Sequence, residues 1–260
     1  MSNAADTDAP PGRRIEVVLV VGGNYHDFDF ARLELLKLLA EHEEFRVRVQ
    51  PDYEDVDPIA QSEILVSYTC DLRPSERAQQ TIRDWVSGGG RWVALHGTNF
   101  ALDPTEEGWK VQIEQPIWYD TLGSQFIAHP PIAPYRVDNV APHHWLVAGI
   151  EPFEATDELY LSDYPDRTSL LPLLQTTYQG GARGFARQDW TDTDPDHLVM
   201  YLRTLGNGAV LYNTLGHCRG HYDVPTLKPY YPNVDRCSWE VPAFYEILRR
   251  SLRWARGEEG

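Results

Sequence analysis

Residues 88–97 read GGGRWVALHG, a glycine-bounded apolar run that ends in a histidine and a further glycine. A strand followed by such a small-residue turn is how an α/β sheet presents a reactive side chain above its edge. Here that side chain is the imidazole of His96, which can serve as an acid, a base, a metal ligand or a hydrogen-bond donor. It is a poor substitute for the thiol or hydroxyl that acyl transfer needs.

The residues before this strand alternate between apolar runs and helical patterns. Residues 15–21 and 64–68 are rich in β-branched and apolar side chains, and residues 45–49 alternate, so each segment predicts a strand. Asp27 is placed to cap a helix with an apolar stripe, and Pro74 marks the start of another helix. Four strands separated by helix-length segments predict an α/β fold with a doubly wound, mostly parallel, flavodoxin-like sheet.

The second half of the chain is less regular. Residues 198–202 and 209–213 are joined by Gly206-Asn207-Gly208, which predicts a hairpin that extends the sheet. A last helix is predicted from near Ser238. The segment from about residue 98 to 187 is rich in Pro, Trp and Tyr and predicts an irregular insertion over the carboxyl edge of the sheet.

Composition limits the class of protein. A chain of 260 residues, 42% of them hydrophobic, suffices for one α/β domain, which we expect over residues 14–257 after a disordered leader over residues 1–13. The formal net charge of −16 disfavours nucleic acid and anionic membranes as partners. Without a 20-residue apolar run or a signal-peptide pattern, we expect a cytoplasmic protein.

Polar side chains follow several of the predicted strands. His26 and Asp27 come after the first strand, Tyr68 ends the third, His96 ends the fourth, and His217 follows the late strand. The carboxyl ends of parallel strands share one crevice in an open α/β sheet. The sequence therefore predicts a functional site at this edge.

The same edge offers a donor set for a metal ion. Neutral imidazoles with one carboxylate form open zinc sites in enzymes, although no HExxH spacing is present here. Adjacent residues of a strand point to opposite faces, so only one of Asp157 and Glu158 can face the crevice, and we favour Glu158. A divalent metal such as zinc and purely acid/base chemistry both stay open. The candidate metal ligands are His26, His96, His129, His217 and Glu158.

Aromatic side chains are more frequent around the predicted site than a core requires. Their faces stack on the apolar faces of sugar rings, whose hydroxyl groups take hydrogen bonds from polar neighbours. The aromatic residues concerned are Tyr25, Trp109, Trp118, Tyr119, Tyr160, Tyr164, Trp190, Tyr230 and Tyr231.

An ordered series of short motifs resembles the trehalose-utilisation (ThuA-like) family over about residues 15–255. The motifs are GGNYHD at 22–27, VALHG at 93–97, HP at 129–130, DELY at 157–160 and GNGAVLYNTLGH at 206–217. The resemblance implies the class I glutamine amidotransferase-like fold and a link to sugar catabolism, often beside oxidoreductases that make 3-keto disaccharides. It also implies zinc in some relatives.

Amidotransferases of this fold carry a cysteine at the strand-to-helix turn and a histidine after a late strand. His96 stands at the turn and His217 resembles the later histidine, so glutamine hydrolysis is not expected. A hydrolase that uses Cys70, near the same edge, is a third reading of the residues.

The leading hypothesis is an enzyme that isomerises, eliminates or hydrolyses a sugar or a 3-keto-sugar glycoside. The alternative is a non-catalytic carbohydrate-binding or regulatory protein. The expected partner is a small carbohydrate, and a homo-oligomer stays open. The predicted catalytic residues are His96, His217, His26 and Asp27, and the predicted substrate-binding residues are Tyr25, Tyr68, Asn99, His129, Glu158 and Tyr160.

Overall fold

The structure of the protein is a computed structural model, and the predicted leader lies outside its described residues except for Arg13. The described residues are 13–111, 114–187, 196–221, 225, 228–229 and 232–258. The helices and strands are, in chain order, β1 Ile15–Gly23, α1 Phe28–Leu39, β2 Phe45–Gln50, α2 Asp57–Ala60, β3 Ile64–Cys70, α3 Glu76–Ser87, β4 Arg91–Leu95, β5 Leu102–Thr105, β6 Gly108–Val111, α4 Pro116–Leu122, β7 Gln125–Ala128, β8 Ala133–Asn139, β9 Phe153–Asp157, β10 Leu161–Asp163, β11 Leu170–Thr177, β12 Asp196–Leu205, β13 Gly208–Asn213 and α5 Pro242–Ala255.

Within the described residues the main sheet has nine strands in the order β2-β1-β3-β4-β13-β12-β11-β8-β9. The strands from β2 to β13 run parallel, in an order that matches flavodoxin-like sheets. The strands β12, β11, β8 and β9 pair antiparallel. The α/β class is confirmed. The prediction of a mostly parallel sheet holds only for the half from β2 to β13, because the later strands lack the crossover helices that parallel pairing needs.

The parallel strands β1, β3, β4 and β13 are largely buried, which is why their sequences are mostly apolar, whereas the edge strand β2 alternates. Along β1, Val17, Leu19 and Val21 pack into the cluster that includes α1 and α5, whereas Val18 and Val20 pack into the cluster that includes α2 and α3. Successive strand residues point to opposite faces, so one run of β-branched residues serves both layers. The site described below lies at the carboxyl ends of these strands.

Several local predictions are confirmed within one or two residues. The carboxylate of Asp27 accepts a hydrogen bond from the backbone N–H of Phe30 and caps α1. β12 and β13 form the predicted hairpin, and β13 pairs with β4. The last helix begins at Pro242 rather than near Ser238, because a 3₁₀ turn occupies Cys237–Glu240 and proline favours the first helical position.

The predicted insertion is more regular than expected. The strands β8, β9 and β11 extend the main sheet, while β5 pairs with β6 and β7 pairs with β10 in two small sheets. The strands β5, β6, β7 and β10 have only three or four residues, and β8 alternates only weakly between buried and exposed residues, so their pattern is faint in the sequence. Across the described residues, no helix is long and apolar enough to cross a bilayer.

Candidate functional site

Three of the predicted histidines and one predicted carboxylate converge at the carboxyl edge of the sheet. One ligand atom from each of His26, His96, His217 and Glu158 lies within 4.8 Å of the others. None of the four residues is more than 5% exposed. We call these four residues the His/Glu cluster.

The backbone around His96 has the sharp turn that its sequence predicts. His96 directly follows β4 and adopts a φ of +44°, a left-handed conformation that is strained for a residue with a side chain. The turn is pressed against the end of β3, since a Cβ at Gly97 would lie 2.7 Å from the backbone oxygen of Thr69. The hydroxyl of Tyr212 donates to the carbonyl of His96. Packing on two sides therefore holds the imidazole in place.

Hydrogen bonds to carbonyl oxygens fix which nitrogens of two histidines carry protons. Nδ1 of His96 donates to the Thr214 oxygen at 2.8 Å, and Nδ1 of His26 donates to the Asn24 oxygen at 3.3 Å. In the neutral rings both Nε2 atoms are then acceptors, yet they lie 2.8 Å apart. Two lone pairs at this distance need a proton or a cation between them.

The environment of His26 disfavours the shared proton. Burial, followed by the nearby His96 and His217, lowers the pKa of His26 well below its ordinary value. A metal ion is the other cation that neutral imidazoles accept, and histidine ligands commonly donate their second nitrogen to a carbonyl. The paired Nε2 atoms of His26 and His96 therefore fit a metal site.

Glu158 supplies the negative charge of the cluster. Its Oε2 lies 3.6 Å from Nε2 of His96 and 3.3 Å from Nδ1 of His217. Burial raises the pKa of Glu158, but His129, His217 and hydrogen bonds outweigh burial and hold that pKa well below its ordinary value. Ligand atoms about 2.0–2.1 Å from a tetrahedral zinc lie roughly 3.3–3.4 Å apart, and the two Glu158 separations are close to that spacing. The 2.8 Å between Nε2 of His26 and Nε2 of His96 is shorter, so these two rings would have to move apart to hold such an ion.

His217 follows β13 and Asp157 ends β9, and the two side chains have different roles at this edge of the sheet. Among the described residues, neither ring nitrogen of His217 has a hydrogen-bond partner, although both nitrogens are buried. Its backbone N–H and that of Gly216 donate to the carboxylate of Asp157, at 3.1 and 3.0 Å. Nδ1 contacts the Glu158 carboxylate at 3.3 Å without forming a hydrogen bond, so both buried nitrogens of His217 could serve as ligands of an ion. As predicted, Glu158 rather than Asp157 faces the crevice.

A cavity of about 270 Å³ lies beside the cluster. It reaches His26 and Glu158 directly, whereas His96 and His217 are fully buried and do not line it. His129 also lines it and points Nε2 at Oε1 of Glu158, 3.4 Å away, while its Nδ1 donates to the Pro130 oxygen at 2.8 Å. The residues that line the cavity are Tyr25, His26, Phe100, Leu102, Trp109, His129, Glu158, Arg183, Gly184, Phe185 and Arg219.

Some predicted site residues support the site without reaching the cavity. Asp27 caps α1 and pairs with Arg236 at 2.9 Å. The hydroxyl of Tyr68 donates to the Gly216 oxygen at 2.8 Å, and Asn99 donates to Ser124 at 2.7 Å. These side chains, and Tyr160, do not line the cavity, so the structure places them behind the site.

Tyr160 and Cys70 lie close behind the cluster. The ring of Tyr160 packs on the imidazole of His96 with centroids 4.5 Å apart. Burial, followed by Glu158 and Asp71, raises the pKa of the Cys70 thiol well above its ordinary value. A buried neutral thiol is a weak nucleophile, which argues against a hydrolase that uses Cys70.

Some of the predicted aromatic residues line the cavity and others lie behind it. Of those predicted to stack on sugar rings, Tyr25 and Trp109 line the cavity, and Trp118, Tyr119, Tyr160 and Tyr164 do not. Trp190, Tyr230 and Tyr231 lie outside the described residues.

The sequence reasoning missed two cationic residues of the cavity, Arg183 and Arg219. Arg219 stands two positions after His217, which was the one signal that could have identified it. Arg183 lies in an irregular segment whose position in space no local pattern reveals.

A family model for trehalose utilisation (ThuA) matches residues 17–231 of this chain. A protein described as ThuA-like from Parabacteroides merdae superposes with a TM-score of 0.66 at 15% identity, over 95% of this chain and 92% of that one. Another from Bacteroides uniformis gives a TM-score of 0.67 at 14% identity, over 98% and 97%. A β-galactosidase from Rahnella sp. gives 0.52 at 14% identity, over 86% of this chain and 32% of that one. No curated protein matches the sequence.

Proposed function

Because this chain belongs to the ThuA (trehalose utilisation) family, we propose that it is a metal-dependent enzyme that acts on a sugar or a 3-keto-sugar glycoside. The family links the chain to carbohydrates, and the His/Glu cluster under the cavity is the observation that carries the enzymatic part of the proposal.

The donor set of the His/Glu cluster suits zinc. Three imidazoles and one carboxylate are borderline-soft and hard ligands of the kind that hold this ion. His26, His96, His217 and Glu158 would hold it. When bound, such an ion acts as a Lewis acid on carbonyl or hydroxyl oxygens.

His129 is the proton carrier in this proposal. It lines the cavity, its Nδ1 is tied to Pro130, and its Nε2 lies beside the Glu158 carboxylate. An imidazole oriented in this way by a carbonyl and a carboxylate is typical of general acid/base groups. His96 and His217, which the sequence predicted as catalytic, are assigned to metal binding because they lie beneath the cavity floor.

A 3-keto sugar suits proton transfer, because the carbonyl acidifies the C–H bonds beside it. Loss of such a proton leaves its electron pair in an enolate. Returning the proton to the other face isomerises the sugar, whereas expelling the glycosidic oxygen, which then takes a proton, eliminates the aglycone. Tyr25 and Trp109 would hold the ring by stacking on its apolar face.

The first test is elemental analysis of the purified protein. We expect about one equivalent of a divalent metal in the wild type and a loss of most of it in His217→Ala. His143→Ala is the matched control, because His143 is exposed and outside the His/Glu cluster. Equal metal content in all three proteins would overturn the metal assignment.

The second test is turnover of 3-keto-trehalose and related 3-keto glycosides. We expect product with the metal-loaded wild type and with His143→Ala, and none above background with His217→Ala. If the wild type binds these sugars in calorimetry but yields no product, the chain is a carbohydrate-binding protein and the enzymatic proposal fails.

A further inference from the structure

We infer that the cavity takes an acidic sugar, one that carries a carboxylate or a phosphate, with its anionic group bound by Arg183 and Arg219. The inference rests on the proposed function, since it names the substrate class of the same cavity. It is carried by charge and by the way the two arginines are held.

The lining of the cavity has the opposite charge balance to the whole protein. Among the described residues that line the cavity, two are arginines, Arg183 and Arg219, and one is a carboxylate, Glu158, in a protein whose formal net charge is −16. Imidazole nitrogens of His96, His129 and His217 lie 3.3 to 3.6 Å from that carboxylate. A local excess of cations in an acidic protein draws an anionic ligand to this place.

Arg219 is held as a fixed part of the cavity wall. It is only 8% exposed, and its Nε donates to the Tyr25 oxygen at 3.3 Å. Its backbone is paired with Asp235 through two N–H···O bonds of 2.9 Å. A guanidinium held in this way places a fixed positive charge in the cavity wall, and such a charge attracts a carboxylate or phosphate.

Arg183 is held at the same cavity by a bridge between two segments. The backbone N–H of Trp109 donates to the Gly184 oxygen at 2.8 Å, and the N–H of Ala186 donates to the Trp109 oxygen at 2.9 Å. The Arg183 side chain is exposed, so it can reach a ligand without a large desolvation cost. Trp109 lines the same cavity.

The size of the cavity limits the sugar. Its volume of about 270 Å³ is just below the range of roughly 300–1,000 Å³ that is common for small-molecule sites. It therefore suits one ring with a small charged substituent. The faces of Tyr25 and Trp109 would take the ring while the two arginines take the anionic group.

Calorimetric titration with defined probes tests this inference. The probes are D-glucuronate, D-glucose 6-phosphate, D-glucose and inorganic phosphate. We expect the wild type to bind at least one of the two acidic sugars about tenfold or more tightly than glucose. Arg183→Gln should remove most of that advantage, measured as the ratio of the affinity for the acidic sugar to the affinity for glucose. The two acidic sugars distinguish a carboxylate from a phosphate as the natural group.

Arg187→Gln is the matched control, because Arg187 lies on the same segment, pairs with Asp163 at 3.2 Å and does not line the cavity. It should leave all affinities unchanged. Glucose that binds as tightly as both acidic sugars would overturn the acidic-sugar inference and leave the proposed function intact. If no sugar binds but phosphate binds through Arg183, the cavity has an anion site and the acidic-sugar inference is overturned. If no probe binds, that inference is overturned as well, and turnover of 3-keto glycosides decides the proposed function separately.

Discussion

The strands β1, β4 and β13 of the parallel half end in turns that carry His26, His96 and His217, whereas the antiparallel half contributes Glu158, directly after β9. The parallel half thus supplies imidazole donors on a frame covered by helices on both faces. The antiparallel half and its small sheets supply the charge and the cavity wall. The site forms only where the two halves meet, so its chemistry depends on their register.

Asp157 connects the antiparallel half of the sheet to the parallel half. Its Oδ1 accepts from the N–H groups of Glu158 and His217, and its Oδ2 accepts from those of Gly216 and Ser238. The last residue of β9 is thereby tied to the turn after β13. One fully buried carboxylate sets the position of two members of the His/Glu cluster.

The largest expected effect is on turnover, and it distinguishes His96, a proposed metal ligand of the parallel half, from His129, the proposed proton carrier after the small-sheet strand β7. His96→Ala should lose the metal and lower turnover by on the order of 10³ or more, since several kcal/mol of charge stabilisation leave with the ion. His129→Ala should keep the metal and lower turnover by roughly 10². Metal analysis beside steady-state kinetics measures both. Metal loss in His129→Ala, or metal retention in His96→Ala, would contradict this division.

The second-largest effect is expected on stability, from a substitution of Asp157. In Asp157→Asn the amide NH₂ must face backbone N–H donors in either orientation, because both carboxylate oxygens accept from them. We expect the free energy of unfolding to fall by about 2–4 kcal/mol, measured by urea denaturation. Asp138→Asn, at an exposed pair with Arg136, should change it by less than about 1 kcal/mol. Similar losses in the two variants would show that Asp157 does not join the halves.

The parallel half could be predicted from the sequence because its strands are buried on both faces. Residues 17–21 and 92–95 are unbroken apolar runs close to glycines, and the rule that sites lie at carboxyl ends then brings distant histidines together. The choice of Glu158 over Asp157 followed from the alternation of a strand. These inferences use only local pattern and one topological rule.

The antiparallel half could not be predicted in the same way. The strand Ala133–Asn139 carries only one fully buried hydrophobic residue, Val137, and its partners are far away in sequence. Asp27 caps α1 and Tyr68 binds the Gly216 oxygen, and neither lines the cavity, so their direct roles at the site stay predictions. Arg183 reaches the cavity through a bridge to Trp109 that depends on tertiary contacts alone.

A smaller effect is expected from Gly97, which tests the close contact inside the parallel half. An alanine Cβ there would lie 2.7 Å from the Thr69 oxygen and 2.8 Å from Cβ of Cys70, so backbone must move. We expect Gly97→Ala to lower the free energy of unfolding by about 1–3 kcal/mol and to weaken metal binding. Gly88→Ala is the control, with its nearest contact at 3.2 Å. An unchanged Gly97→Ala protein would mean that the His96 turn is not held by β3.

The smallest effect is expected at His42, which follows α1 at the amino edge of the parallel half, away from the strand ends that hold the site. Burial, followed by Arg256, lowers the pKa of His42, although Glu44 and Glu41 oppose this and Arg253 adds to it. The folded protein therefore binds this proton less readily than the unfolded chain. Its contribution to stability is present above the ordinary pKa of about 6.5 and is lost as the pH falls through the lowered value.

Replacing His42 by a residue that does not titrate tests whether the amino edge of the sheet is independent of the site at its carboxyl edge. In His42→Asn, urea denaturation at about pH 8 and about pH 5 should show a smaller loss of stability on acidification than in the wild type. Metal content and turnover should not change, because His42 packs on Phe45 and contacts no member of the His/Glu cluster. A change in metal content would mean that histidines at the amino edge also act on the site, and the functional division between the edges would fail.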